Sequence, residues 1–151
     1  GRRHAGLCGR DRRGARRGSP VTVVVDASVV VAALIDAGDA GRWAESVVSG
    51  GSLAAPELLL AEGASVLRRL ERQGIVSTLE ADSAHLDLLR LDIERFPYEP
   101  FAARVWALRR HLTSYDAWYV AAAEALGAPL ATLDRRLVRS SGPACEFLTA
   151  P

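Results

Sequence analysis

The chain has 151 residues, 49% hydrophobic and 25% charged, a composition that fits one globular domain and excludes a low-complexity or fibrous protein. All 19 basic residues are arginine, so a Walker A loop and a lysine Schiff base are both excluded. The net charge of +1 conceals a split, because residues 1–20 carry seven arginines against one aspartate while residues 21–151 carry 12 arginines against 17 acids.

Residues 1–20 have no hydrophobic period and are rich in Gly and Arg, so they are expected to form a disordered basic tail. A basic arm for RNA is one reading of this tail, and a translation start assigned upstream of Val21 is the preferred one. Residues 21–151 form the expected domain. Val21–Val25 is a β-branched run that reads as a buried parallel strand, and Asp26 ends it. Ala27–Ile35 and Ala40–Ser49 read as helices stopped by Gly38 and Gly50. Leu53–Ala55 is a short strand. Pro56 fits a first helical position, with an amphipathic helix over Glu57–Arg72. Thr78–Leu91 is a helix with Leu79, Leu86 and Leu89 on one face, and Ile93–Pro100 is a loop broken by two prolines, with room for a little extended structure. Phe101–Leu112 is helical, with Phe101, Val105 and Leu108 on one stripe. Ser114 is expected to cap the helix Tyr115–Leu126, which Gly127 ends. Pro129–Thr132 is a strand, Asp134–Ser140 a turn or short helix, and Cys145–Leu148 an edge strand. Strands alternating with helices predict a parallel sheet covered on both faces, with ligands beyond the carboxyl ends of its strands.

Four acids stand where that rule directs attention. Asp26 ends the first strand; it reads either as a site acid or as the N-cap of the following helix. Glu62 lies four residues from both Leu58 and Val66, on the apolar stripe of its helix, where a carboxylate needs either a partner or a metal. Asp116 opens a helix, where the dipole alone would favour it, but it shares a face with Val120 and Ala123. Asp134 follows the strand that ends at Thr132, and capping a turn would also explain it. No histidine offers itself as a base: His4 is in the tail, and His85 and His111 lie in helices and are expected at the surface. Clustered carboxylates without histidine or cysteine suit hard cations, Mg²⁺ or Mn²⁺. The two cysteines, Cys8 and Cys145, form no metal-ligand spacing, which makes cytoplasmic chemistry the default. No apolar run approaches the roughly 20 residues of a membrane span.

The segments VVVDASVVVAAL, PELLLAEGASVLRRL and LTSYDAWYVAAAEALGAPLATLDRRL together resemble the PIN domain, and more narrowly the VapC-type toxins of type II toxin–antitoxin pairs. The likeness runs from about Val21 to about Leu148. Its most specific part is Tyr115–Ala117 with Tyr119, Ala121 and the Thr132–Asp134 step. The resemblance implies a three-layer α/β/α fold with a short central parallel sheet. It implies a metal-dependent endoribonuclease that holds Mg²⁺ or Mn²⁺ on Asp26, Glu62, Asp116 and Asp134, with Ser28 and Thr132 as supporting polar groups. It also implies a cognate VapB-like antitoxin and a homodimer, with Trp43 in the helix where such contacts fall. Trp106 and Trp118 are read as core. Arg135 and Arg136 read equally as a phosphate clamp and as a solvated pair. The rivals are an aspartyl phosphohydrolase, which lacks its second aspartate at Ser28, a DNA nuclease of the same fold, and a catalytically silent module that binds RNA or a partner.

Overall fold

The computed structural model describes residues 20–151; the basic tail expected over 1–20 lies, but for Pro20, outside the described residues. The β-branched run becomes strand β1 (Thr22–Val25), whose Val24 and Val25 are completely buried. Four more strands, β2 (Ser52–Pro56), β3 (Ile93–Phe96), β4 (Leu130–Ala131) and β5 (Phe147–Leu148), join it in a five-stranded sheet of order β3-β2-β1-β4-β5. Every pairing is parallel. Burial on both faces explains why the inner strands read as unbroken Val and Ala runs rather than as alternating patterns. The strand order reverses between β1 and β4, and a sheet wound in this way opens a crevice at that point.

Seven α-helices flank the sheet among the described residues: α1 (Ala27–Ile35), α2 (Asp39–Ser49), α3 (Leu59–Arg72), α4 (Thr78–Arg90), α5 (Ala102–Ala107), α6 (Ser114–Leu126) and α7 (Arg135–Arg139). Helices α1 to α4 pack together, α5 packs on α6, and α6 lies against β1, β2 and β4. The result is the three-layer α/β/α architecture that the alternation of elements implied. One core runs through both sides of the sheet, from Val29 and Val30 of α1 to Val120, Ala122 and Ala123 of α6. A small second cluster, Val31, Leu67 and Ala84, locks α1, α3 and α4 to one another.

Several expectations are corrected. Pro56 does not open a helix; it closes β2, in register with Phe96 of β3, and the backbone N–H of Glu57 donates to the Phe96 carbonyl at 2.9 Å. Helix α3 therefore starts at Leu59. The same pairing turns the expected loop Ile93–Pro100 into β3 followed by a 3-10 turn over Glu99–Phe101. Leu79, Leu86 and Leu89 face solvent, and α4 buries Ala81, Ala84 and Leu88 instead. Close packing of α3 on α4 selects that small-residue face. A Cβ on Gly63 would sit 2.8 Å from Leu88 Cδ2, so only glycine lets the helices approach this closely. The predicted stripe Phe101, Val105 and Leu108 is buried as expected, although α5 itself ends at Ala107. The cap of α6 is Thr113 rather than Ser114; its hydroxyl accepts from the Asp116 N–H at 3.2 Å. Gly127 ends α6 in the left-handed region, at φ 59°. Trp106 is not core, being 63% exposed, with the Arg109 guanidinium 4.8 Å from its ring centre. Trp118 is half-buried and meets the edge of Tyr98. No helix among the described residues is long and apolar enough to cross a membrane.

Candidate active site

Asp26 and Asp134 follow β1 and β4, on the two sides of the reversal in strand order, while Glu62 lies within reach of the charges of Asp116 and Asp26, and Asp116 within reach of that of Asp134. Asp26 leaves β1 and caps α1, accepting from the Val29 N–H at 3.1 Å, so the capping role and a site role fall on the same residue. Its carboxylate is 8% exposed and held from both sides. Ser28 Oγ donates to Oδ1 at 2.5 Å, and the Thr132 hydroxyl donates to Oδ2. The same two hydroxyls tie β1 to the segment after β4, because the Leu133 N–H donates to Ser28 Oγ at 3.1 Å and the Asp134 N–H donates to Thr132 Oγ1 at 3.0 Å. One polar net thus fixes Asp26 and positions the turn that carries Asp134.

Glu62 comes from the first turn of α3, on the flank of the fully buried line Leu59, Gly63 and Leu67. Its Oε1 is buried and has no hydrogen-bond partner. Tyr119, one turn along α6 from Asp116, is 2% exposed and faces this carboxylate, but its hydroxyl is likewise buried without a partner of ordinary geometry. Asp116 stands half-buried in the first turn of α6. Asp134 caps α7, accepting from the N–H groups of Arg136 at 2.8 Å and Leu137 at 3.4 Å.

The electrostatics follow from burial and mutual repulsion. Burial raises the Asp26 carboxyl above its ordinary pKa, against the donors from Ser28, Thr132 and Val29. Burial also raises Glu62; the Tyr119 hydroxyl opposes this, and the neighbouring charges of Asp116 and Asp26 add to it. Asp116 is raised by burial and by the charge of Asp134, with Thr113 and Arg136 opposing. Burial pushes Asp134 up as well, but the N–H groups of Arg136 and Leu137 and the Arg136 guanidinium, 3.5 Å away, outweigh it and leave its pKa lowered. Tyr119 is raised by burial and then by Glu62, so it stays a neutral hydroxyl.

Among the described residues no three histidine, cysteine, aspartate or glutamate side chains are gathered closely enough to hold a metal ion as they stand. The acids are nonetheless the right donors for one. All are carboxylates, three are raised above their ordinary values, and Glu62 presents a buried oxygen that no protein group satisfies. A hard divalent cation relieves both the repulsion and the unpaired oxygen. Asp26 already accepts from the Ser28 and Thr132 hydroxyls and the Val29 N–H, so an ion held there would share its carboxylate with these donors.

The histidines stay outside, as expected: His85 is exposed, and His111 is exposed with Nδ1 3.0 Å from Ser141 Oγ. Arg135 and Arg136 are exposed at the mouth of the site. Sequence reasoning did not single out Tyr119 as a neighbour of the acids. Its spacing of three residues from Asp116 on an otherwise apolar helix face was the available signal. A cleft of about 680 Å³ lies between Trp43, Thr132 and Arg135 and is lined by none of the four acids.

Comparison with known proteins bears on the family and the fold. The family profile described as PIN domain matches residues 23–142. Ribonuclease VapC1 of Mycobacterium tuberculosis is 42% identical over 131 residues, covering 82% of this chain and 94% of its own. Among solved structures, the protein PAE2754 of Pyrobaculum aerophilum superposes with a TM-score of 0.64 at 26% identity, over 84% of this chain and 83% of that one. VapBC-5 of Mycobacterium tuberculosis, a member of the VapBC family of toxin–antitoxin systems, superposes with a TM-score of 0.53 at 23% identity, over 87% of this chain and 98% of that one.

Proposed function

The chain belongs to the PIN domain family, and from that premise we propose that residues 21–151 form a ribonuclease domain whose active site is Asp26, Glu62, Asp116 and Asp134. The activity is that of a toxin endoribonuclease, a hydrolase acting on RNA phosphodiester bonds. The observation that carries the reading is the buried, unpartnered Oε1 of Glu62, set beside the charges of Asp26 and Asp116.

Asp26, Glu62, Asp116 and Asp134 would hold a divalent cation, Mg²⁺ or Mn²⁺ by the hardness of the oxygen donors. When bound, such an ion polarises a phosphate oxygen and acidifies the attacking water. The residues do the rest. Ser28 and Thr132 hold the Asp26 carboxylate in one orientation, so it is preorganised before substrate arrives. Glu62 offers an oxygen that accepts from, and so orients, the attacking water. Tyr119 stays protonated and gives Glu62 a neutral neighbour. Arg135 and Arg136 flank the mouth, where a phosphate backbone passes.

A VapB-like antitoxin is the proposed partner, in keeping with VapBC-5, and a homodimer is the proposed assembly. The exposed Leu79 and Leu86 of α4 offer apolar surface for such contacts. The proposed location is the cytoplasm, where RNA and an antitoxin are met.

The test is cleavage of total cellular RNA by the purified chain, wild type beside Asp26→Asn, with Mn²⁺ or with EDTA. Discrete fragments that require both the metal and Asp26 are expected. Equal cleavage by both proteins would move the site elsewhere, and no cleavage by either would reject the nuclease reading.

A further inference from the structure

Glu62 lines a groove of about 370 Å³ along α3, together with Leu58, Ser65, Val66 and Arg69 and with Tyr115 from α6. Residues 62, 65, 66 and 69 share one helix face, and seven residues of helix carry Arg69 about 10 Å along the axis from Glu62. No carboxylate among the described residues pairs with the Arg69 guanidinium. Tyr115 directly precedes Asp116, is 60% exposed, and has no aromatic neighbour on its ring. A large aromatic left in water beside an acid cluster, with an unpaired guanidinium one helix face away, has no packing role to explain it. The helix dipole accounts for basic residues in the last turn of α3, but not for an exposed tyrosine lining the same groove as Arg69.

We propose that this groove is the subsite for the nucleotide flanking the scissile phosphate of a single-stranded RNA, with Tyr115 stacking on its base and Arg69 holding its phosphate. The inference rests on the ribonuclease reading of the four acids. Only an unpaired base presents a face to such a ring, which makes the substrate single-stranded at this position. The body of the chain is acidic overall, so a cation placed along the strand's path offsets repulsion of the backbone locally. Tyr115 and Arg69 are thus positioning residues, setting which phosphate rests against the acids.

The experiment is a titration of a fluorescently labelled, mixed-sequence single-stranded RNA with the full chain carrying Asp26→Asn, so that the RNA survives, at several salt concentrations. Adding Tyr115→Ala is expected to weaken binding about 10-fold, while Tyr115→Phe binds like the parent, because stacking needs the ring and not the hydroxyl. Arg69→Gln is expected to lower the slope of log affinity against log salt by about 0.7, the share of one single-strand phosphate contact. Arg90→Gln, whose guanidinium pairs with Asp87, leaves the slope unchanged. If Tyr115→Ala and Arg69→Gln bind like the parent while wild type cleaves total RNA, the subsite is wrong and the ribonuclease reading stands. If Tyr115→Phe is as weak as Tyr115→Ala, stacking is overturned. A parent that binds no RNA and a wild type that cleaves none would reject both.

Discussion

At the scale of single residues, two of the four acids answer to more than one physical demand. Asp26 and Asp134 are helix caps as well as members of the cluster, so their backbone bonds hold them in place whether or not a ligand is present. Glu62 has no such secondary role. It carries a buried oxygen without a partner and a charge that Asp116 and Asp26 repel, a local cost that the proposed cation site would explain. Glu62→Gln should therefore stabilise the metal-free protein by roughly 1 kcal/mol while removing RNA cleavage. Thermal unfolding in EDTA checks this, and a lower melting temperature for the variant would show that the carboxylate is satisfied in a way the geometry does not reveal.

At the scale of elements, the join between α5 and α6 depends on one ion pair. Arg104 Nε and Nη2 donate to the two Glu124 oxygens at 2.7 and 3.0 Å, and Glu124 also accepts from the Ala144 N–H at 2.7 Å, which fastens the segment leading to β5. Arg104, chiefly through its bonds with the side chain and with help from the Ala144 N–H, holds the Glu124 carboxyl below its ordinary pKa against burial. A depressed folded-state value means that the stabilisation is fully present above the unfolded pKa, about 4.3, and is lost as pH falls through the folded value. Glu124→Gln should cost about 1 kcal/mol at pH 7, a modest figure because Arg104 is 40% exposed and screened by water. Urea midpoints for the two proteins at neutral pH and near pH 3 should converge at the lower value; a constant difference would assign the effect to packing rather than charge.

At the scale of the whole molecule, a cation bound at the proposed site would make folding and cation binding one equilibrium. The acids repel one another in the apo state, so a divalent ion that binds only the folded chain raises its stability by mass action, about 2.7 kcal/mol at one hundred times the dissociation constant. The melting temperature should climb with Mg²⁺ or Mn²⁺ in wild type and much less in Asp26→Asn. A scan in which neither protein responds would argue against a cation at the four carboxylates. The parallel sheet supplies the rigid support for this: five strands, none of them long, present Asp26 and Asp134 from adjacent positions across the reversal of strand order.

Periodicity and punctuation in the sequence determined most of the elements: the Val run of β1, the exact span of α1, the Gly127 stop of α6, and the alternation that requires a parallel sheet. They also singled out the four acids proposed for the site, because a carboxylate after a buried strand or on an apolar helix stripe is conspicuous without any coordinates. Tertiary structure alone decided the rest, wherever a choice depended on a neighbour distant in sequence. Pro56 reads as a helix start until β3 pairs beside it. Leu79, Leu86 and Leu89 of α4 form a plausible inner face until α3 packs beside it, where Gly63 leaves room for Leu88 and the buried face becomes Ala81, Ala84 and Leu88. Thr132 is an ordinary strand residue until the fold sets its hydroxyl on Asp26, 106 positions away. Local propensity and hydrophobic period are properties of a few adjacent residues, whereas the face an element buries, and the partner a polar group finds, are set by packing between segments that the chain brings together only on folding.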